Sequence, residues 1–360
     1  MVKLFIPGPT DVAPEVLAQL SRPMISHRGT EATELQSRIS RNLQKIMRTE
    51  ETILLSGSSG TGLMEGAVRS CTRRRAAVFS IGAFGQRWFE LCESNAVPAD
   101  LFAAEPGEIT RAEDVAAALE TGKYDLVCVT HNETSTGIAN PLAEIAIVMR
   151  RFPEVVWCVD AVSSLGGEDI PVDELGIDIC ITSAQKCLAL PPGLALCSFS
   201  EKARRAANEV PSERRGQYFD LLNLDRFVRE KKCQYPSTPP LSLYYALDYQ
   251  LERILAEGLE ARFARHLELA ELTRDWAREN MALFGDREHL SRTVTCIDNV
   301  HNIDVPQLVK NLEQRGYLIS NGYGQLKNRT FRVAHMGERS RAEMEAMLAE
   351  LSAACAELRH

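Results

Sequence analysis

The sequence predicts an α/β protein: a mostly parallel sheet covered by helices, followed by a smaller C-terminal α/β unit. Three observations predict it. Six short, continuously apolar runs lie between about residues 50 and 200: "ETILLS", "AAVFSI", "DLVCVT", "VVWCVD", "DICITS" and "LALCSF". Segments with apolar residues at helical spacing, such as "GTGLMEGAVRSC" and "PLAEIAIVMRRF", separate them. The pattern then changes after about residue 258. Strands buried on both faces read as unbroken apolar runs, and parallel neighbours need crossover helices between them. The chain therefore divides into residues 1–257, an N-terminal segment with the large unit, and residues 258–360, a small α/β unit.

Taken in order, the large unit's strands end in unusual polar groups. "TILLSG" runs into "SSGTG", "LVCVT" into "HNETSTG", "VVWCV" into Asp160, and "DICITSA" into Gln185 and Lys186. In an open parallel sheet, ligands bind beyond the carboxyl ends of the strands, so four such endings at one edge predict a site. In the small unit, the amphipathic "GLEARFARHLELAELTRDWAREN" precedes strand-like "TVTCID", helical "VPQLVKNLEQRG", alternating "RTFRVAHM" and a final helix from about Ser340.

Composition narrows the function. The 360 residues are 45% hydrophobic and 25% charged, the ordinary balance of a soluble globular protein. A formal net charge of -8 argues against nucleic acid or anionic lipid as main partner. The basic run Arg73 to Arg75 closes an apparent helix, where cations complement the dipole. None of the ten cysteines forms a CxxC pair, and Cys128, Cys158 and Cys180 lie inside apolar runs. They read as small buried hydrophobes of a reducing compartment, without disulfide or metal. No stretch reaches the roughly 18 to 20 apolar residues of a membrane span, and the opening "MVKLFIPGPT" is too short in apolar character for a signal peptide. The expectation is a cytoplasmic protein.

Three features carry chemistry. "SGSSGTGLMEGAV" presents small residues and free N–H groups at a helix start, which suits a phosphate, although alone it reads equally as a flexible turn. It matches neither GxxxxGK[ST] nor GxGxxG, which speaks against a P-loop or a Rossmann-type dehydrogenase. Asp160 closes a buried strand, where a carboxylate is either a structural hydrogen-bonding group or an anion facing a cationic ligand atom. Lys186 stands where an apolar run gives way to the loop "CLALPPG". A phosphate cradle, a buried-edge aspartate and a strand-end lysine in that order describe a pyridoxal 5'-phosphate site. There the lysine forms an imine with the aldehyde, and the aspartate keeps the pyridine nitrogen protonated.

With this combination the sequence resembles the class V, fold-type I pyridoxal phosphate aminotransferases, in particular the alanine–glyoxylate and serine–pyruvate group. The similarity runs through nearly the whole chain: "PGPTDVAPEVL", "ISHRGTE", "SSGTGLMEGAV", "GAFGQR", "THNETSTG", "VDAVSSLGG", "SAQKCLALPPG", "YPSTPPLSLYYAL" and "FRVAHMG". Asp160 and Lys186 are 26 residues apart. The resemblance implies that Ser59, Gly60 and Thr61 hold the phosphate with help from Gln185. The phosphate turn is one residue longer than in several relatives. Phe84 would stack on the ring, where relatives often place tryptophan. Thr134 would approach the phenolic oxygen. Tyr235 and Thr238 would reach the phosphate of the neighbouring subunit, which implies a homodimer with shared active sites. Arg332 would clamp the substrate carboxylate, with Gly8 also at the substrate. His131 reads as a structural loop residue, with cofactor contact as the alternative, and Arg28 as either a surface or interface residue or the second cation for a dicarboxylate.

The activity this implies is transfer of an amino group from alanine or serine to glyoxylate or pyruvate, with Lys186 moving the proton. Alternatives are an aspartate or 2-aminoethylphosphonate transaminase, or a lyase or desulfurase of the same fold. Desulfurases usually carry His where "AQK" has Gln185, and they need a cysteine on a mobile loop, whereas Cys355 lies in an apparent terminal helix. A catalytically silent binding protein is opposed by the intact lysine, aspartate and arginine.

Overall fold

Unbroken runs of Val, Ile, Leu and Cys lower their free energy by leaving water, each large side chain by about 1.5–3 kcal/mol. The computed structural model, which describes residues 2–359, gathers them into one seven-stranded sheet. The spatial order is Thr52–Ser56, Ala195–Phe199, Ile179–Ser183, Val156–Asp160, Leu126–Thr130, Ala76–Ser80 and Ala99–Ala103. Ala195–Phe199 is antiparallel to both neighbours, and the other pairs are parallel. All six apolar runs are strands. The seventh strand, Ala99–Ala103, is absent from the sequence reading because it is a half-exposed edge strand paired only with Ala76–Ser80. An edge strand has no need of a continuous apolar run.

Register decides what the sheet presents. Asp160 lies level with Thr130 on one side and Ile181 on the other. The strand carrying Ile181 continues to Ser183, so Lys186 emerges beside Asp160 from the adjacent strand end. Helices Gly60–Cys71 and Ala83–Ser94 pack against the sheet and against each other. The basic run follows the first of these helices. There Arg73 pairs with Asp125 and Glu209, Arg74 with Asp125, and Arg75 with Asp100.

A chain break in direction at Gly258, with φ +86°, separates helix Leu241–Glu257 from helix Leu259–Asn280. Beyond it, a four-stranded antiparallel sheet orders Ala282–Leu283, Val294–Asp298, Thr330–Ala334 and Ser320–Asn321. Its core joins Leu269, Ile297, Phe331, Val333 and Met344. Helix Arg341–Ala356 starts at a reciprocal cap in which Ser340 and Glu343 each satisfy the other's backbone N–H. The N-terminus is sewn into this unit. Lys3–Leu4 pairs in parallel with Tyr317–Leu318, and Phe5 lies fully buried in the same core. Among the described residues no helix is long and apolar enough to cross a membrane.

Candidate active site

The site lies at the carboxyl ends of the central strands, where the two units meet. At Ser59 the backbone is extended, and Gly60 begins the 12-residue helix Gly60–Cys71. A helix start leaves N–H groups without intrahelical partners, and Ser59 sits at the capping position without making a side-chain cap bond. Its hydroxyl is thus left for another acceptor. Ser58 by contrast is engaged with the Ser56 hydroxyl at 2.8 Å. Gly60 is required by packing, since a Cβ there would stand 2.5 Å from Val162.

Asp160 is almost fully buried, and one carboxylate oxygen accepts from the Val162 N–H at 2.9 Å. Burial pushes its pKa up to about 6, against the pull of that bond and of the Lys186 charge. Lys186 is its counterpart. Burial lowers the ammonium to about 8, with Asp160 acting in the opposite sense. The Lys186 Nζ donates to the Pro7 carbonyl. Gly8, at φ +103°, lies so close that a Cβ would stand 2.7 Å from the lysine Cδ and 2.9 Å from its Nζ. Thr10 fastens the same segment, donating its N–H to the Gln185 carbonyl and its hydroxyl to that of Lys186. The Gln185 amide oxygen and the Ser183 hydroxyl are buried without hydrogen-bond partners among the described residues. Orphaned polar atoms at one strand end are what a polar ligand would satisfy.

Phe84 stands in the first turn of helix Ala83–Ser94. Sequence reasoning missed the group that fixes it. The fully buried Glu133 carboxylate accepts from the N–H groups of Phe84 and Gly85 and from both the N–H and hydroxyl of Ser135. Burial still raises its pKa. A lone acid in a polar stretch that forms only the two-residue strand Asn132–Glu133 carries no periodic signal, and only the fold brings it to a helix start.

Thr134 follows. Its hydroxyl donates to Ser163 at 3.0 Å, and its carbonyl accepts from Arg332 at 3.0 Å. Strand alternation sends Phe331 and Val333 into the small core and Arg332 to the opposite face, towards the large unit. The Arg332 fork is oriented by the Asn321 carbonyl at 3.0–3.1 Å, and Tyr323 lies with its ring 5.6 Å away. It makes no ion pair among the described residues, and burial lowers its pKa. A buried guanidinium held only by carbonyls is an arginine ready for an anion.

Four other residues, Tyr235, Thr238, Arg28 and His131, sit outside this constellation within the chain. The Tyr235 hydroxyl accepts from the Leu55 N–H at 2.9 Å, and Tyr235 and Thr238 line a cleft with Ser56, Gly57 and Tyr218. Arg28 donates to the carbonyls of Tyr235 and Pro236, so it braces that segment. His131 bonds the Ser164 hydroxyl at 2.9 Å, and burial lowers its pKa. A further link unread in the sequence is Arg262, fully buried, which donates to the carbonyls of Gly166 and Cys187 and pairs with Glu257 and Glu338. It ties the small unit's first helix to the loop following Lys186.

This architecture and sequence have known relatives. A family model described as Aminotransferase class-V matches residues 4–333. An uncharacterized aminotransferase of Methanocaldococcus jannaschii is 37% identical, covering 99% of this chain and 93% of its own. The L-aspartate–glyoxylate aminotransferase of Paracoccus denitrificans is 32% identical, over 93% of this chain and 86% of its own. Among solved structures, an alanine–glyoxylate aminotransferase from Nostoc superposes with a TM-score of 0.93 at 26% identity, covering 98% of this chain and 95% of that one. Matched by the family model over residues 4–333 and by relatives along nearly its whole length, the chain belongs to the class V aminotransferase family.

Proposed function

We propose that the protein is a pyridoxal phosphate-dependent aminotransferase that moves the amino group of alanine or serine to glyoxylate or pyruvate. The observation that carries this reading is the pairing of a lysine lowered to about 8 with a buried, acid-free Arg332 whose charge reaches it. An amine near neutrality can give and take protons at physiological pH. A buried cation without an acid is a seat for a carboxylate.

The residues fit the cofactor. The open cap at Ser59, the close approach at Gly60 and the orphaned hydroxyl of Ser183 suit a phosphate at a helix start. Ser59, Gly60, Thr61 and Gln185 would hold it, Phe84 would cover the ring, and Thr134 would stand by its phenolic oxygen. Tyr235 and Thr238 would come from a second copy of the chain. When bound, the cofactor supplies an aldehyde for the amino group and a ring that withdraws electrons from the substrate α-carbon. Asp160, mostly ionised at pH 7 above its pKa of about 6, would offer an anion to the ring nitrogen. Arg332 holds the substrate carboxylate, and Lys186 moves the proton. Pro7 and Gly8 shield the lysine from water.

Aspartate as donor is the second reading, favoured by the name of the Paracoccus relative. A second carboxylate would call for a second cation, and Arg28 is engaged with backbone carbonyls. Alanine or serine therefore ranks above aspartate and above 2-aminoethylphosphonate. Cys355 is buried, and among the ten cysteines only Cys233 is partly exposed, so the desulfurase reading has no fully exposed thiol to rest on. The test measures rates with alanine, serine, aspartate and 2-aminoethylphosphonate against glyoxylate and pyruvate. Alanine or serine should be fastest. Aspartate faster than alanine by about ten-fold, a difference of about 1.4 kcal/mol, would overturn the ranking.

A further inference from the structure

We propose that Arg87 is the counter-charge for the cofactor phosphate, a role that rests on the pyridoxal phosphate reading above. The phosphate set proposed from this sequence, Ser59, Gly60, Thr61 and Gln185, contains no cation. A phosphate ester carries nearly two negative charges at neutral pH, whereas a helix N-terminus offers about half a positive one. More than one unit of negative charge is left to be balanced at a half-closed site.

Arg87 is the cation that the fold delivers there. It lies one turn after Phe84 on helix Ala83–Ser94, on the same face. This helix packs against Gly60–Cys71, whose start is the phosphate turn. The Arg87 guanidinium reaches Thr61 Oγ1 at 3.5 Å and lies 4.7 Å from the centroid of the Phe84 ring. Stacking on an aromatic ring holds the planar fork in place and leaves its edge N–H groups free to donate. Among the described residues Arg87 makes no ion pair, although surface arginines of this chain such as Arg75 and Arg151 each have an acid at 2.6 Å. Its charge also bears on Asp160 and Lys186. An arginine that is half-buried, acid-free and aimed at the hydroxyl of a phosphate turn has an anion as its natural partner.

The experiment titrates apoprotein with pyridoxal phosphate and, separately, with phosphate-free pyridoxal, at low and high salt, for wild type, Arg87→Gln and Arg87→Lys. Losing a charge-assisted hydrogen bond should weaken pyridoxal phosphate binding by roughly ten- to a hundredfold in Arg87→Gln. Pyridoxal binding should not change. The wild type should show the steeper loss of affinity with salt, and Arg87→Lys should recover part of the affinity. Circular dichroism checks that each variant is folded, and Arg87→Lys alone decides the matter if Arg87→Gln is not. Its affinity must then fall between wild type and the level of phosphate-free pyridoxal. Equal affinities for pyridoxal phosphate in wild type and variant would overturn the proposal. So would an equal fall for both ligands, which would mean that Arg87 acts through Phe84, or a rise confined to the KM for aspartate, which would make it a substrate cation. Wild type that binds no pyridoxal phosphate at all would sink the cofactor reading itself.

Discussion

Asp160 and Lys186 hold charges that burial disfavours. Asp160 is shifted from 3.8 to about 6. The folded protein therefore binds its proton more tightly than the unfolded chain does. Stability associated with the protonated carboxyl is present below about pH 4, lost as pH rises to about 6, and absent above. The loss is on the order of 3 kcal/mol. Lys186 runs the other way in pH. Its depressed pKa makes the ammonium a cost below about pH 8, a cost that disappears as pH climbs towards 10.5. The unliganded site is thus less stable at neutral pH than its shape requires. Asp160→Asn keeps that shape without the ion. Apoprotein carrying it should unfold at a higher temperature than wild type at pH 7, with the difference shrinking between pH 6 and pH 4. Its kcat should fall by about 10²-fold or more. Thermal scans across pH together with steady-state kinetics check both. A kcat left intact would make Asp160 structural.

Helix Ala83–Ser94 begins at a carboxylate borrowed from the short strand Asn132–Glu133, about 50 residues away in sequence. Glu133→Ala would leave four donors, on Phe84, Gly85 and Ser135, buried or half-buried without an acceptor. The expected loss is about 3 kcal/mol in denaturant unfolding, with Glu133→Gln between the variant and wild type. An unchanged midpoint for Glu133→Ala would refute the capping role. The same helix marks the limit of what could be read beforehand. Buried parallel strands announce themselves as apolar runs, and so do strand ends such as Asp160 and Lys186 that terminate them. The edge strand Ala99–Ala103 does not, because one side of it faces solvent. Glu133, Arg87 and Arg262 sit in polar stretches where nothing local distinguishes a surface charge from a buried one, and only tertiary contacts separate them. Arg28 shows the converse. Its placement in "SHRG" suggests a ligand, but its donors go to Tyr235 and Pro236.

At the scale of the molecule, the exposed Ser237 and Thr238 that follow buried Tyr235 line a cleft with Tyr218, which is 52% exposed. Such apolar exposure suits a face covered by a second copy. If Tyr235 and Thr238 serve the opposite subunit, Lys186→Ala and Thr238→Ala, each impaired alone, should regain part of the activity when mixed and refolded. One of the two hybrid sites then carries both wild-type groups, so recovery of up to about a quarter of wild type is expected. A fully active monomer by light scattering would contradict the shared site.

The pairing of Lys3–Leu4 with Tyr317–Leu318 has a consequence for anyone who would cut this protein into pieces. The smaller unit is contiguous in space but not along the chain. A recombinant fragment starting at Gly258 would lack Phe5, whose side chain is fully enclosed in that unit's core. The resulting hole compares with a Phe→Ala truncation, about 3–5 kcal/mol, and the edge at Tyr317 would be left bare for other chains to pair with. The complementary fragment would keep the strap over Lys186 but lose the strand that anchors it. Autonomy of the smaller unit therefore demands a graft, with residues 3–5 spliced back beside Tyr317, rather than a single cut.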